Sequence, residues 1–305
     1  MDRYESRTGE ISHSRYLDDL THNGEYTVKQ ANCKGCENTC KVSILNFDNG
    51  NRFFTGNQCE KVFTNKGKKV RPGFNFPQYK YGLLFGRDTK PLGGRPAKLK
   101  IGIPRVLNFF DNYPFWNTLF SECGIEIVLS DRSSAELYEK GSGYLMSDNI
   151  CFPAKLVHGH ILNLTKKGAD RIFYPVITHS FDECPGSDNC FNCPIVTGYP
   201  DVISNTLGKG ELQNIPLDTP NINFRDVELL RLTTYNYMKG LGIGKTAFAE
   251  AFEKALTSQN IFRENLSNEA RKIITRCSEE KSKVYIMAGR PYHCDQMINQ
   301  GIPEI

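Results

Sequence analysis

Residues 99–129 have the sequence LKIGIPRVLNFFDNYPFWNTLFSECGIEIVL, and this stretch decides the fold class. The run Leu99–Pro104 is short, apolar and bounded by proline, which predicts a buried strand. Apolar residues at helical spacing follow over Phe115–Cys123, and Ile125–Leu129 is a second apolar run. A helix of this length between two buried strands is typical of a βαβ unit, so we expect the strands to be parallel.

The alternation of strand and helix continues along the chain. Cys151–Lys167 predicts a second helix with Gly168 at its C-cap position, and Arg171–Ile177 predicts a third strand. Residues from Asp226 to about Ser278 predict helix almost throughout, because residues of high helix propensity dominate there. We therefore predict an α/β protein with a parallel sheet.

The composition is that of an ordinary globular protein. The chain has 305 residues, of which 39% are hydrophobic and 24% are charged, and its net charge is +4. This length suggests about two domains, and so small a charge gives no reason to expect a nucleic-acid partner. No apolar run approaches the roughly 18–20 residues of a membrane span, and the first residues lack the apolar segment of a signal peptide. We expect a cytoplasmic protein without a membrane partner.

Changes in composition divide the chain into segments. A Gly- and Pro-rich stretch separates a cysteine-rich part from the α/β part. The strand predicted at Lys283–Ala288 opens a second α/β lobe that stops at Ile305, as expected for a piece of something longer. The predicted segments are a polar tail or linker at 1–28, a cysteine-rich metal-binding module at 29–70, a linker at 71–97, an α/β domain at 98–222, a helical segment at 223–280 and the start of a truncated second α/β lobe at 281–305.

Eleven cysteines are many for a chain in a reducing compartment, where clustered thiols indicate metal sites before disulfides. The sequence predicts a β-hairpin within the first cluster. Apolar residues alternate over Cys40–Phe47 and over Arg52–Thr55, and Asn49-Gly50 joins these two runs. Four converging thiolates suit tetrahedral zinc or an iron-sulfur cluster, and the spacing leaves both open. The members of this first cluster are Cys33, Cys36, Cys40 and Cys59.

A second group of cysteines includes Cys151, which lies at the start of a predicted helix. Asp148 or Asn149 can cap this helix, and Pro153 suits its first turn. The N-terminal end of a helix favours the thiolate form of cysteine. The loop after the third strand should face the same crevice at the carboxyl ends of the strands, so three or four thiols there can hold an iron-sulfur cluster. The cysteines of that loop are Cys184, Cys190 and Cys193.

Two other sequence patterns are weaker evidence for a functional site. Gly240–Thr246 resembles a phosphate-binding loop, but the position of its first glycine is Lys239 and no strand precedes it. We predict a turn between two helices there and no ATP binding. His158 and His160 are two residues apart and do not share a helix face, so we expect at least one of them to be a packing or surface residue rather than a ligand.

Five strings in the sequence together resemble one known family. They are NCKGCENTCKVSILNFDNGNRFFTGNQCEK at 32–61, IGIPRVLNFFDNYPFWNTLF at 101–120, CFPAKLVHGHI at 151–161, NCPIVTGYPDVI at 192–203 and AGRPYH at 288–293. The family is the activase-related region of the 2-hydroxyacyl-CoA dehydratase system. Its very large proteins join ATPase domains of the actin/hexokinase type to a dehydratase-subunit-like region, and this chain is similar to part of the latter.

The resemblance implies an α/β fold akin to dehydratase and double-cubane-cluster subunits. It also implies cysteine-bound clusters of the 4Fe-4S type and low-potential electron transfer, driven elsewhere by ATP hydrolysis. Cys151 and Cys193 match cysteines in the strings of the family, whereas Cys190 and Cys184 match less closely. The implied partners are the ATPase activase domains, which this sequence does not contain, and a dehydratase-like protein. Self-association into a homo-oligomer stays open.

Two alternative functions also stay open. One is an interaction module without redox activity, in which zinc binds to the first cysteine cluster. The other is a 2-hydroxyacyl-CoA dehydratase-like subunit that acts on the thioester itself. The sequence assigns no general acid or base, and Cys294, directly after the last string, is a further candidate ligand on the resemblance.

Overall fold

The structure is a computed structural model, and it describes residues 25–48, 50–57, 59, 62–65, 73–92, 96–181 and 189–304. The chain forms two compact units, Met1–Pro72 and Gly73–Ile305. Most of the predicted polar tail lies outside the described residues. The first strand begins at Tyr26, inside the segment predicted as tail.

The first unit contains a three-stranded antiparallel sheet. Strand β2 pairs with β1 on one side and with β3 on the other. The predicted hairpin is confirmed, and Gly50 in its turn has a φ of +80°, a conformation that favours glycine. The sequence reasoning did not identify β1. The strands are β1 (Tyr26–Asn32), β2 (Lys41–Phe47) and β3 (Arg52–Thr55).

The second unit is built on a parallel sheet, which confirms the predicted α/β fold. Its strand order is β5-β4-β6-β8, and β7 pairs with β9 in a two-stranded extension. Pro175 divides the predicted third strand into β6 and β7, because proline has no N–H for the ladder. Pro220 divides β8 from β9 in the same way. The strands are β4 (Leu99–Ile103), β5 (Ile125–Leu129), β6 (Arg171–Phe173), β7 (Val176–Ile177), β8 (Leu217–Asp218) and β9 (Asn221–Ile222).

Eight α-helices occur in the described part of this unit. The predicted helices are confirmed, as is the turn between α6 and α7, where Gly242 has a φ of +81°. Helices α1, α3, α5 and α8 were not predicted. None of the described helices is both long and apolar enough to cross a membrane. The helices are α1 (Phe76–Phe85), α2 (Phe109–Glu122), α3 (Ala135–Ser142), α4 (Phe152–Thr165), α5 (Pro194–Thr206), α6 (Val227–Gly240), α7 (Lys245–Glu279) and α8 (Gln296–Asn299).

Helix α1 lies inside the segment predicted as a linker at 71–97, so that prediction was wrong for these residues. The side chain of Asn75 caps the helix by accepting a hydrogen bond from the Gln78 N–H. Leu84 and Phe85 are buried, and the Phe85 ring packs edge-on against Phe110 at 5.2 Å. Burial of apolar surface against α2 therefore stabilises a helix whose Gly- and Pro-rich flanks suggested a loop.

The sheet has helices on both faces. Phe173 of β6 contacts Trp116 of α2 at 4.7 Å between ring centroids, so one face is covered by α2. A β-carbon on Gly102 of β4 would lie 3.3 Å from a methyl group of Leu164, so the opposite face is covered by α4. Gly102 of β4 pairs with Ile172 of β6, so these two residues share one face of the sheet. Phe173 follows Ile172 in β6 and points to the other face, because side chains alternate along a strand. This register places the two helices on opposite faces.

The strand predicted at Lys283–Ala288 is absent, so this prediction was wrong. The segment has no regular secondary structure, and the Ile286 side chain is 84% exposed. A strand needs a neighbour for its N–H and C=O groups, and no described strand pairs with this segment. The chain instead continues into a 3-10 helix at Pro291–Cys294, then α8, then a 3-10 turn at Ile302–Glu304.

Two glycines allow α3 and α4 to touch at their backbones. A β-carbon on Gly159 of α4 would overlap the carbonyl oxygen of Leu137, and one on Gly141 of α3 would overlap the Gly159 nitrogen. A side chain at either position therefore requires the helices to separate.

We predict that Gly159→Ala lowers the free energy of unfolding by about 1–3 kcal/mol, because the added methyl group overpacks this contact. Gly198→Ala is the matched control, because Gly198 also lies inside a helix and a β-carbon there meets nothing within 4 Å. The control should be neutral or stabilising by up to about 1 kcal/mol. Equal stability of the two variants in urea-induced unfolding would contradict the packing described.

Candidate functional site

The first cysteine cluster lies at one end of the three-stranded sheet. Cys33 directly follows β1 and Cys40 directly precedes β2, and the Cys33 N–H donates a hydrogen bond to the Cys40 carbonyl at 2.8 Å. This bond closes a loop that carries Cys36 at its exposed tip. Cys33 itself is buried, and Cys40 is half-buried. Three of the predicted ligands therefore share one closed loop.

The segment around Cys59 returns to that loop after β3. A β-carbon on Gly35 would lie 2.5 Å from a methyl group of Val62, so the Val62 side chain packs directly on the backbone of that loop. The Asn57 side chain donates hydrogen bonds to the carbonyl oxygens of Cys59 and Phe63, which orders the returning segment. The sheet thus brings the chain segments of all four predicted ligands to the same end, with the thiol of Cys59 exposed.

In the second unit, Cys151 is the N-cap residue of α4. Its carbonyl oxygen accepts hydrogen bonds from the N–H groups of Ala154 and Lys155, and Pro153 lies in the first turn. The predicted place of Cys151 at a helix N-terminus is confirmed. The cap is Cys151 itself, whereas Asp148 and Asn149 had been the expected candidates.

Cys193 has the same position at the start of α5. It is the N-cap residue, Pro194 is the first helical residue, and the Thr197 N–H donates to the Cys193 carbonyl at 3.0 Å. Both helices therefore begin with a cysteine followed closely by proline, and neither cysteine side chain forms a hydrogen bond to the first turn of its helix.

The two helices that begin at these cysteines pack against each other. The His158 ring, about two turns after Cys151, lies 5.8 Å from the ring of Tyr199, about two turns after Cys193. Burial raises the pKa of Tyr199 to about 12, and the charge of Cys151 adds to the increase. Cys151 therefore lies within electrostatic range of a side chain on α5.

Tyr292, from the 3-10 helix near the end of the chain, interacts electrostatically with both thiols. Burial raises the pKa of its hydroxyl, the negative charges of Cys151 and Cys193 raise it further, and the positive charge of Arg290 lowers it. One hydroxyl is thus within electrostatic range of both thiols. The predicted shared site of Cys151 and the cysteines of the loop after the third strand stays a prediction.

The loop that precedes Cys193 is held against the end of β7. The Ser180 N–H donates to the Cys190 carbonyl at 3.0 Å, and the Asn192 amide donates to the Ile177 carbonyl at 3.0 Å. Cys190 is half-buried. The remaining predicted ligand, Cys184, lies outside the described residues.

Within the described ranges, no group of three or more Cys, His, Asp or Glu side chains is arranged to hold a metal ion. This holds for the first cysteine cluster and for the loop around Cys193. The described residues therefore show two thiols within electrostatic range of one tyrosine hydroxyl, and the metal sites predicted from the sequence stay predictions.

Both histidines of α4 are buried packing residues. His158 contacts the Thr206 hydroxyl through Nε2 at 2.9 Å, and burial lowers its pKa to about 4. His160 contacts Ser130 through Nδ1 at 2.8 Å and Ser133 through Nε2 at 3.1 Å. Burial and then the charge of Arg105 lower its pKa to about 3. The expectation that at least one of these histidines is a packing residue is confirmed.

A directed chain of hydrogen bonds runs through His160. The Ser133 hydroxyl donates to the Asp295 carboxylate at 2.7 Å, so its oxygen accepts the proton carried on Nε2 of the neutral His160 ring. The Nδ1 atom then accepts from the Ser130 hydroxyl. Asp295 also caps α8 by accepting from the N–H groups of Met297 and Ile298. This chain holds the C-terminal segment onto the loop after β5.

The fold is that of a doubly wound α/β protein with its candidate sites on the carboxyl side of a parallel sheet. Residues 100–305 match the family described as CoA enzyme activase uncharacterised domain (DUF2229), which is more than half of the chain. The chain belongs to this family. Comparisons with curated proteins and with solved structures each found no match.

Sequence reasoning missed several residues around these sites. Tyr199 and Tyr292 lie inside strings that were singled out for other residues, and their hydroxyls carry no local signal of a thiol neighbour. The hydroxyl-rich run after β5, which includes Ser130 and Ser133, was a usable signal because polar side chains that follow a parallel strand often line a site. Asp295 could not be paired with Ser133 in advance, since 162 positions separate them.

The buried histidines predict that stability depends on pH. Between the folded pKa of about 3 for His160 and the ordinary value of 6.5, the unfolded chain binds more protons than the folded chain. The free energy of unfolding should therefore fall as pH decreases from 7 to 4, with a slope approaching about 1.4 kcal/mol per pH unit for each buried histidine.

His160→Gln should reduce this slope, because the amide can occupy both hydrogen-bonding positions without titrating. Urea-induced unfolding at intervals of half a pH unit measures the effect. An identical pH dependence in the variant and the wild type would show that His160 is not buried as a neutral ring.

Proposed function

We propose that this chain is an iron-sulfur segment of an acyl-CoA dehydratase activase-type system. In this role it takes part in low-potential electron transfer to or within a 2-hydroxyacyl-CoA dehydratase-like partner. The observation that carries the proposal is that Cys151 and Cys193 each cap a helix and lie within electrostatic range of the same Tyr292 hydroxyl. Membership of the CoA enzyme activase family supports the activase context.

The groups around the two thiols suit thiolate ligands. Each of the two cysteines lies at the N-terminal end of a helix, the end that attracts negative charge, and Arg290 places a positive charge within electrostatic range of Tyr292. Cys190 and Cys184 are the further ligands that the proposal assigns, since an iron-sulfur cluster takes three or four thiolates. A cluster of the 4Fe-4S type bound there supplies one-electron redox chemistry. The protein would tune the reduction potential of this cluster through nearby charge, through burial and through the Tyr292 hydroxyl.

The surroundings of Cys193 support a partner on this side of the sheet. Phe191 and Ile195 flank it in sequence and both side chains are exposed, and the Cys151 thiol is exposed as well. Exposed apolar side chains beside a redox site suit docking of another protein. We assign this surface to a dehydratase-like partner. In this proposal, ATPase activase domains provide the driving force for electron transfer, and the protein acts in the cytoplasm.

A second candidate function is favoured by the first cysteine cluster. The closed loop from Cys33 to Cys40 and the return of the Cys59 segment bring together chain segments with four cysteines, the number of ligands of a structural zinc site. In this alternative, zinc stabilises the first unit as an interaction module and the chain has no redox activity. Zinc at the first cluster is also compatible with an iron-sulfur cluster at the second group of cysteines.

Anaerobic purification followed by analysis of iron, acid-labile sulfide and zinc tests the proposal. We predict that the wild-type chain contains iron and sulfide and that Cys151→Ser and Cys193→Ser each lose most of both, because each variant removes a thiolate ligand. Cys277→Ser is the matched control, since Cys277 is a half-buried cysteine on α7, and it should retain the wild-type content.

Zinc alone, unchanged by Cys151→Ser but lost in Cys59→Ser, would contradict the redox proposal and support the zinc module. Turnover of a 2-hydroxyacyl-CoA by the purified chain would instead identify a dehydratase-like subunit.

A further inference from the structure

A cavity of about 150 Å³ lies in the second unit, between the start of α1, the loop after β5 and the C-terminal segment. None of the cysteines assigned to the proposed cluster lines it. Residues from three distant parts of the sequence contribute, and the side chains used below are Asn75, Gln78, Tyr81, Arg132, Ser133 and Asp295.

Two guanidinium groups meet at Tyr81 beside this cavity. The central carbon of the Arg132 guanidinium lies 4.8 Å from the centroid of the Tyr81 ring. Arg105 reaches the same residue from another direction, and its Nη1 donates a hydrogen bond to the Tyr81 hydroxyl at 3.0 Å. Two like charges around one side chain repel each other, so an anion between or beside them would be stabilising.

The protein itself leaves hydrogen-bond donors of both groups unused. Within the described residues, Arg132 forms no ion pair and its guanidinium donates no hydrogen bond, although it contacts the Tyr81 ring. The Nε of Arg105 is buried without a hydrogen-bond partner. A buried donor without an acceptor is destabilising and is unusual in a well-packed protein.

The nearby carboxylates are already engaged by other groups. Asp295 accepts hydrogen bonds from the Ser133 hydroxyl and from two backbone N–H groups of α8. Asp131 forms an ion pair with Lys167 at 2.6 Å and accepts from Asn163. Neither carboxylate forms an ion pair or a hydrogen bond with Arg105 or Arg132, although both lie within electrostatic range of Arg105 and Asp295 itself lines the cavity.

The cavity also lies where this topology places ligands. The chain runs from β4 to β5 on one side and then crosses to β6 on the other, so the strand order reverses at β4. Arg105 is in the loop that follows β4, and Arg132 is in the loop that follows β5. In open α/β sheets, ligands bind outside the carboxyl ends of the strands; the reversal itself lies between β4 and β6, next to the loop that carries Arg105.

We propose that this cavity binds the oxyanion group, carboxylate or phosphate, of a small ligand. Arg132 provides a planar pair of donors for it, and Arg105 provides the second positive charge. Gln78 and Asn75 border the remaining space and can bind polar groups of the same ligand; the Asn75 oxygen already accepts from the Gln78 N–H, which leaves its amide hydrogens as donors. The volume suits a small molecule or the head group of a larger one. The site does not depend on the proposed iron-sulfur cluster.

The test titrates the full chain with sodium phosphate and, separately, with sodium acetate, in calorimetry at constant ionic strength set by chloride. We expect saturable binding of at least one anion and a matching rise in thermal stability. Binding of phosphate alone identifies a phosphate-bearing ligand, and binding of acetate alone identifies a carboxylate. Arg132→Gln should weaken the binding roughly tenfold or more, because it removes charge-assisted hydrogen bonds.

Arg271→Gln is the matched control, since Arg271 is an exposed arginine on α7, and it should bind like the wild type. Arg132 is itself exposed, so its variant should fold, and circular dichroism checks this. Arg132→Lys keeps the charge but loses the planar pair of donors, and its affinity should fall between those of the wild type and Arg132→Gln. Absence of saturable binding by either anion, or binding that Arg132→Gln leaves unchanged, would overturn the proposal.

Discussion

The common direction of the strands in the second unit is the constraint on which its candidate sites depend. Because β4, β5 and β7 run parallel, the loops that follow them leave the sheet on one side. Helix α5 follows β7 and α4 leads back into β6, so both helices begin on that side, each with a cysteine at its cap. The paired thiols and the arginines at Tyr81 therefore lie on the same side of one sheet.

The C-terminal segment completes both sites on that side. The hydrogen-bond chain from Ser130 through His160 and Ser133 to Asp295 holds it in place. Tyr292, three residues before Asp295, lies within electrostatic range of the two thiols, whereas Asp295 lines the proposed oxyanion cavity. One short segment thus contacts two sites, and a change in how it docks would affect both of them together.

The structural features that could be predicted from the sequence are those that depend on local sequence pattern. The strand–helix alternation and the helix start at Cys151 follow from hydrophobic period and from proline placement, and both are confirmed. The strand at Lys283–Ala288 was wrong because β-propensity does not provide a pairing neighbour. Helix α1 was missed because its stability comes from burial against α2. Contacts such as Asp295 with Ser133 depend on the folded path of the chain, and no local pattern encodes them.

Cys151 and Cys193 are the proposed ligands of one redox-active iron-sulfur cluster. The low-temperature EPR spectrum of the anaerobically purified chain after reduction with dithionite tests this assignment. We predict the signal of a reduced paramagnetic cluster that disappears when both cysteines are replaced by serine and persists in Cys277→Ser. A wild-type chain without such a signal, or a signal that survives the loss of both thiols, would contradict it.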